Sequence, residues 1–118
     1  MLLEENLIIA SDMVAVLEAA EACHIIHLTA PDQVIDALAR TPRLTAAILE
    51  LNPSDLVGSD IETALNHHGA RVVLTKGDST DPEVEERGWM MLLRPFTDHM
   101  LRELLTTMAA PGRSQSAA

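Results

Sequence analysis

Short apolar runs alternate along the chain with segments in which apolar residues recur every three or four positions. Runs of consecutive apolar and β-branched residues predict strands, and the longer spacing predicts amphipathic helices. The predicted strands are residues 6–10, 24–28, 44–51, 70–75 and 89–93. Strands that alternate with helices favour an α/β protein with a parallel sheet covered on both faces.

Residues typical of helix ends separate these strands. Serine, threonine and aspartate favour the first position before a helix, proline its first turn, and glycine its end. The predicted starts are Met13 (after Ser11 and Asp12), Pro31, Ser59 with Glu62, Asp81 or Pro82, and Thr97, and two predicted ends are Gly69 and Gly88. We therefore expect one domain over residues 1–109 and a disordered tail over residues 110–118.

The composition narrows the classes of function. The chain has 118 residues, 47% of them apolar, and a formal charge of -10 with only 8 Lys and Arg. Without a basic surface, neither nucleic acid nor an anionic membrane is expected as a partner. Cys23 is the only cysteine, so no disulfide can form within the chain, and a cytoplasmic location is predicted.

Polar residues follow several predicted strands. They are Ser11 and Asp12 after the first strand, Glu50 after the third, Thr75 after the fourth, and Arg94 with Pro95 after the fifth. Ligands of parallel sheets bind at the carboxyl ends of the strands, so this set predicts an anion- or metal-linked site. Each residue also has an ordinary interpretation, because hydroxyls and acids begin helices and turns, and an arginine can be a solvated surface cation.

Other sequence features carry no chemistry. The segment "TKGD" superficially matches a guanine-reading motif, but the chain lacks a G-x-x-x-x-G-K-[ST] loop, so nucleotide hydrolysis is not expected. The nucleophile motif G-x-S-x-G is also absent. His67 and His68 are adjacent rather than spaced as zinc ligands, and we interpret them as a solvated helix end.

The segments "AAILELN", "VVLTKGD" and "LLRPF", in this order, resemble the receiver domain of bacterial two-component response regulators. The resemblance covers residues 6–108 and implies a flavodoxin-like sheet of strand order 2-1-3-4-5. It places the phosphoacceptor position at Glu50 and the phosphoryl-contacting positions at Thr75, Arg94 and Pro95. It also implies a cis peptide before Pro95. The magnesium ligands of the family would correspond to Ser11, Asp12, Glu50 and Asn52.

Several positions depart from the receiver pattern. The family has an acidic pair where Ser11 and Asp12 stand, an Asp at Glu50, a Lys at Arg94 and an aromatic residue at Met91. One extra methylene displaces the Glu50 carboxylate by roughly one ångström, and an error of that size can slow a reaction about a hundredfold. Weak or absent Mg²⁺ binding and no other cofactor are therefore expected. Arg94 is suited to a bidentate pair with a carboxylate.

These departures favour a pseudo-receiver, which is a stand-alone signalling module without enzymatic activity that contacts other proteins and is not phosphorylated. A receiver that still accepts phosphate at a nonstandard residue is the alternative. A small flavodoxin-like enzyme or ligand binder is a third class. The resemblance implies a histidine kinase, a phosphotransfer protein or another regulator as partner. Many receivers dimerise through the last helix and strand, so a homodimer is also allowed.

Overall fold

A five-stranded parallel sheet forms the centre of the computed structural model, which describes residues 1–20, 25–77, 80–93 and 96–109. The strands are β1 (Leu2–Leu3), β2 (His27–Leu28), β3 (Ala46–Leu49), β4 (Arg71–Leu74) and β5 (Met90–Met91). They lie in the order β2-β1-β3-β4-β5, and each neighbouring pair is parallel. This confirms the predicted α/β class and the flavodoxin-like strand order.

Helices cover both faces of the sheet. They are α1 (Leu7–Ala20), α2 (Val34–Arg40) after a 3₁₀ turn (Pro31–Gln33), α3 (Pro53–Leu56), α4 (Asp60–His68), α5 (Pro82–Arg87) and α6 (Asp98–Ala109). Neighbouring strand residues point to opposite faces. Leu2 and Ile48 therefore join the apolar cluster under α1 and α6, and Leu3 and Leu49 join the cluster under α2, α4 and α5.

The predicted first strand is wrong, because residues 7–10 begin helix α1. The Asn6 side-chain oxygen accepts the N–H groups of Ile8 and Ile9 at 3.0 and 3.1 Å, which is the geometry of a helix N-cap. Ala10 and Met13 are buried, so the face of α1 that carries them packs into the core. The true first strand has only two residues, too few for a periodic pattern to reveal.

The edges of the other strands also differ from prediction. Strands β2, β3 and β5 are shorter than the strands predicted over residues 24–28, 44–51 and 89–93. Only part of each apolar run pairs with a neighbouring strand. The unpredicted helix α3 begins at Pro53, where a proline suits the first helical turn. His24 and Cys23 lie outside the described residues, as does the predicted tail over residues 110–118.

Three predicted helix starts are confirmed, each by a side chain that caps the first turn. The Ser59 side chain accepts the Glu62 N–H, the Asp81 side chain accepts the Glu83 N–H, and the Thr97 hydroxyl accepts the Met100 N–H. The predicted ends of α4 and α5 are confirmed as well. Gly69 and Gly88 close these helices with φ values of 66° and 70°, a conformation that glycine adopts without strain.

The interpretation of His68 as a solvated helix end is wrong. His67 is exposed, but His68 is half-buried, and its ring nitrogens each lie 2.9 Å from a backbone carbonyl oxygen, that of Ala64 and that of Thr41. Only the protonated ring can donate from both nitrogens. The pKa of His68 is therefore raised. The hydrogen bond to the Ala64 carbonyl has the largest effect, and the hydrogen bond to the Thr41 carbonyl has the next largest. His68 thus joins α4 to the segment after α2.

None of the helices in the described ranges is long and apolar enough to cross a membrane.

Candidate functional site

Two carboxylates, rather than Ser11 and Asp12, follow strand β1 at the carboxyl edge of the sheet. Leu3 ends β1, and Glu4 and Glu5 come next. Glu50 directly follows the neighbouring strand β3. Because the carboxyl ends of parallel strands meet at one edge, the three acids lie close together at that edge of the sheet. Residues 4 and 5 thus place a pair of acids at this edge of the sheet.

Ser11 and Asp12 lie outside this edge. Both are exposed in the second turn of α1, and Asp12 stands about 7.5 Å along the helix axis from Leu7. The prediction that they follow the first strand was wrong for the same reason as the strand itself. The β-branched Ile8 and Ile9 favoured a strand, and Ser11 with Asp12 then looked like the start of a helix.

Glu4 is fully buried, yet its polar groups are satisfied. Its Oε2 accepts the N–H of Asn6 at 3.0 Å, and its own N–H donates to the Leu28 carbonyl at 3.0 Å. Its carbonyl oxygen lies 3.1 Å from His27 Nε2. A buried carboxylate is tolerated only with such hydrogen-bond partners. Glu4 therefore shapes the turn between β1 and α1 and joins it to β2.

Glu50 reaches from the end of β3 to the turn after β1. Its backbone N–H donates to the Leu3 carbonyl at 2.9 Å, which continues the pairing of the two strands. Its side-chain Oε1 accepts the N–H of Glu5 at 3.0 Å. One carboxylate oxygen of the half-buried Glu50 is therefore engaged with the backbone of the neighbouring turn.

Asn52, the other predicted metal ligand, is the N-cap residue of α3. Its carbonyl oxygen accepts the N–H groups of Asp55 and Leu56 at 3.0 and 3.3 Å. Its Nδ2 lies 3.4 Å from Asp55 Oδ2. The backbone carbonyl and the side-chain amide of Asn52 thus both contact α3. The sequence pattern did not predict this helix.

Thr75 follows β4 as predicted and lies beside the end of β3. It is buried, its N–H donates to the Leu49 carbonyl at 3.0 Å, and its hydroxyl lies 3.5 Å from the same oxygen. Two residues later, Gly77 passes close to α3. A Cβ on Gly77 would lie 2.3 Å from Pro53 Cδ, so the loops after β3 and β4 touch.

The structure thus brings Glu50, Asn52 and Thr75 to one edge of the sheet, with Glu4 and Glu5 beside them. Arg94 and Pro95, and with them the cis peptide, lie outside the described residues. Met91, at the position where receivers have an aromatic residue, is half-buried in β5. Within the described ranges, no group of three or more His, Cys, Asp or Glu side chains could hold a metal ion.

The sequence contained a signal for Glu4 and Glu5. Two leucines precede the acids, and Asn6, a preferred N-cap residue, follows them. Ala10, Met13 and Leu17 then recur with helical spacing and are all buried. Together these features indicate a strand, a turn and a long first helix.

Strand order and the polar edge define a flavodoxin-like α/β domain with a carboxylate-lined edge. Comparison with protein-family models, with curated proteins and with solved structures finds no match to this chain.

Proposed function

We propose that the chain is a pseudo-receiver, a signalling module that acts through contacts with other proteins and does not accept a phosphoryl group. The support comes from the strand order and from the polar residues that follow the strands. The sheet has the strand order of receivers, with an acidic pair after β1, a carboxylate after β3 and a hydroxyl after β4. A histidine kinase, a phosphotransfer protein or another regulator is the class of partner that this proposal implies.

The hydrogen bond between Glu50 Oε1 and the Glu5 N–H carries the proposal. A phosphoacceptor must present a carboxylate oxygen to phosphorus in line with the leaving group. In this chain the longer side chain of Glu50 spans the gap between two loops, and the backbone N–H of Glu5 holds it there. The Glu50 carboxylate then links the segment after β3 to the turn after β1.

Weak Mg²⁺ binding is part of the same proposal. Magnesium demands near-ideal octahedral oxygen ligation. One carboxylate oxygen of Glu4 and one of Glu50 each accept a backbone N–H, and the Asn52 carbonyl accepts two N–H groups. The Asn52 carbonyl would have to give up a hydrogen bond to ligate the ion, and each of the two carboxylate oxygens has one lone pair fewer to offer.

Acetyl phosphate with Mg²⁺, followed by intact-mass measurement, tests the proposal. We expect no mass increase for the wild type. Ser11→Asp is a matched control, because it adds an acid on the exposed face of α1 and should also remain unmodified. Glu50→Asp combined with Glu5→Asp and Arg94→Lys should restore some acceptance, since such a site works as a unit. A phosphoryl group on Glu50 of the wild type refutes the proposal and supports a working phosphoacceptor.

A further inference from the structure

The outward side of α1 exposes apolar side chains. Leu7 and Ile8, in its first turn, are 65% and 77% exposed, more than any other large apolar residue in the described ranges. Ile8, Ser11 and Ala15 have helical spacing and are all exposed, whereas the opposite side of the helix faces the core. We call Leu7, Ile8, Ser11, Ala15 and Ala19 the outer α1 face.

Carboxylates flank this face. Asp12 lies on one side of the line from Ile8 to Ala15, Glu18 lies on the other, and both are exposed. No Lys or Arg precedes Arg40, and the acids before it are Glu4, Glu5, Asp12, Glu18, Glu21, Asp32 and Asp36. The neighbouring helix α6 has mixed charge. It exposes Asp98, Arg102 and Glu103, and His99 Nε2 lies 2.7 Å from Glu103 Oε1.

We propose that the outer α1 face binds an amphipathic helix of a partner protein, with apolar residues along its centre and Lys or Arg along its edges. Ile8 supplies an apolar anchor, and the small side chains of Ser11 and Ala15 let a second helix axis approach to about 8–10 Å. Asp12 and Glu18 complement basic edges. Such charges speed association and select the partner.

A second copy of this chain fits the face less well. Each copy carries a net charge of -10, and pairing two outer α1 faces would bring Asp12 and Glu18 close to acids of the same kind. The inference rests on the proposed function only in assuming a protein partner. The outer α1 face does not include Glu50.

Fluorescence anisotropy with a labelled synthetic helix of about four turns tests the inference. The peptide has leucines on one face and lysines on both edges, and a scrambled peptide of equal composition is the control. Ile8→Ser should weaken binding of the amphipathic peptide about tenfold, as expected for an apolar anchor. Ile35→Ser is the matched control, because Ile35 is an exposed isoleucine on α2 and its loss should leave binding unchanged.

Two further variants separate shape from charge. Ala15→Arg keeps a good helix former but fills the centre of the outer α1 face, so it should abolish binding. Asp12→Asn with Glu18→Gln should remove most of the salt dependence of the affinity. Circular dichroism of each variant establishes that the chain is folded before binding is measured.

Other results overturn the inference. Amide shifts of the ¹⁵N-labelled chain could map the peptide to the groove of about 580 Å³ between β2 and α2, lined by Ile26, Leu28 and Ala37. Equal affinity for the scrambled peptide also contradicts it. Self-association of the wild type that Ile8→Ser reverses would assign the face to a second copy. Phosphorylation of Glu50 would refute the proposed function and leave the peptide result standing, so the two failures are distinguishable.

Discussion

Shortening Glu50 to aspartate should destabilise the domain, although aspartate is the residue that receivers have at this position. The Oε1 atom of Glu50 accepts the Glu5 N–H at 3.0 Å, and removing one methylene withdraws that oxygen by roughly one ångström or more. The formal charge is unchanged. The variant therefore isolates the reach of the side chain from its charge.

The magnitude follows from the kind of bond that is lost. A hydrogen bond to a charged group contributes about 1.5–3 kcal/mol net, and water can replace part of this contribution because Glu50 is half-buried. We expect the free energy of unfolding to fall by about 1 kcal/mol. For a domain of this size, that corresponds to a melting temperature lower by about 4 °C.

Urea denaturation and amide hydrogen exchange measure the effect. Exchange of the Glu5 amide should accelerate several-fold, because its acceptor has moved away. Glu86→Asp is the matched control, since it removes a methylene from an exposed acid of α5 and should cost only a few tenths of a kcal/mol in helix propensity. An unchanged urea midpoint together with an unchanged Glu5 exchange rate would show that the hydrogen bond contributes nothing.

Three other substitutions test loops and helix ends of the domain. Asn6→Ala removes the acceptor of two N–H groups in the first turn of α1, so urea denaturation should show a loss of about 1 kcal/mol; an unaltered midpoint contradicts the cap. Gly77→Ala places a Cβ 2.3 Å from Pro53 Cδ at a φ of 103°, and thermal unfolding should show a loss of about 2 kcal/mol, whereas wild-type stability would mean that the loops can separate freely. The pKa of His68 is raised by its two carbonyl partners, so its contribution to stability is fully present below the unfolded-state pKa of about 6.5 and is lost as the pH rises through the folded-state pKa. His68→Gln should therefore destabilise the chain more at about pH 5.5 than at about pH 9 in urea denaturation, and an equal loss at both would exclude the protonated bridge.

About half of the candidate site could be predicted from the sequence. Glu50 and Thr75 follow strands of four residues whose apolar runs are unmistakable, so their place at the carboxyl edge is confirmed. Glu4 and Glu5 follow a strand of two residues, and no periodicity is measurable over so short a run. Their place depends on pairing between Leu2 and Ile48, which are far apart in the sequence.

Local chemistry by itself determined the alternation of strands and helices, and with it the parallel class of the sheet. It also determined the caps at Ser59 and Thr97, because a side-chain oxygen satisfies N–H groups only a few residues away. Tertiary structure alone decided that Glu4 is buried, that Glu50 reaches the Glu5 N–H, and that His68 bridges two carbonyls. These arrangements depend on the Leu28 carbonyl for Glu4, the Glu5 N–H for Glu50 and the Thr41 carbonyl for His68. Each of these partners is far away in the sequence and comes within reach only once the sheet has formed.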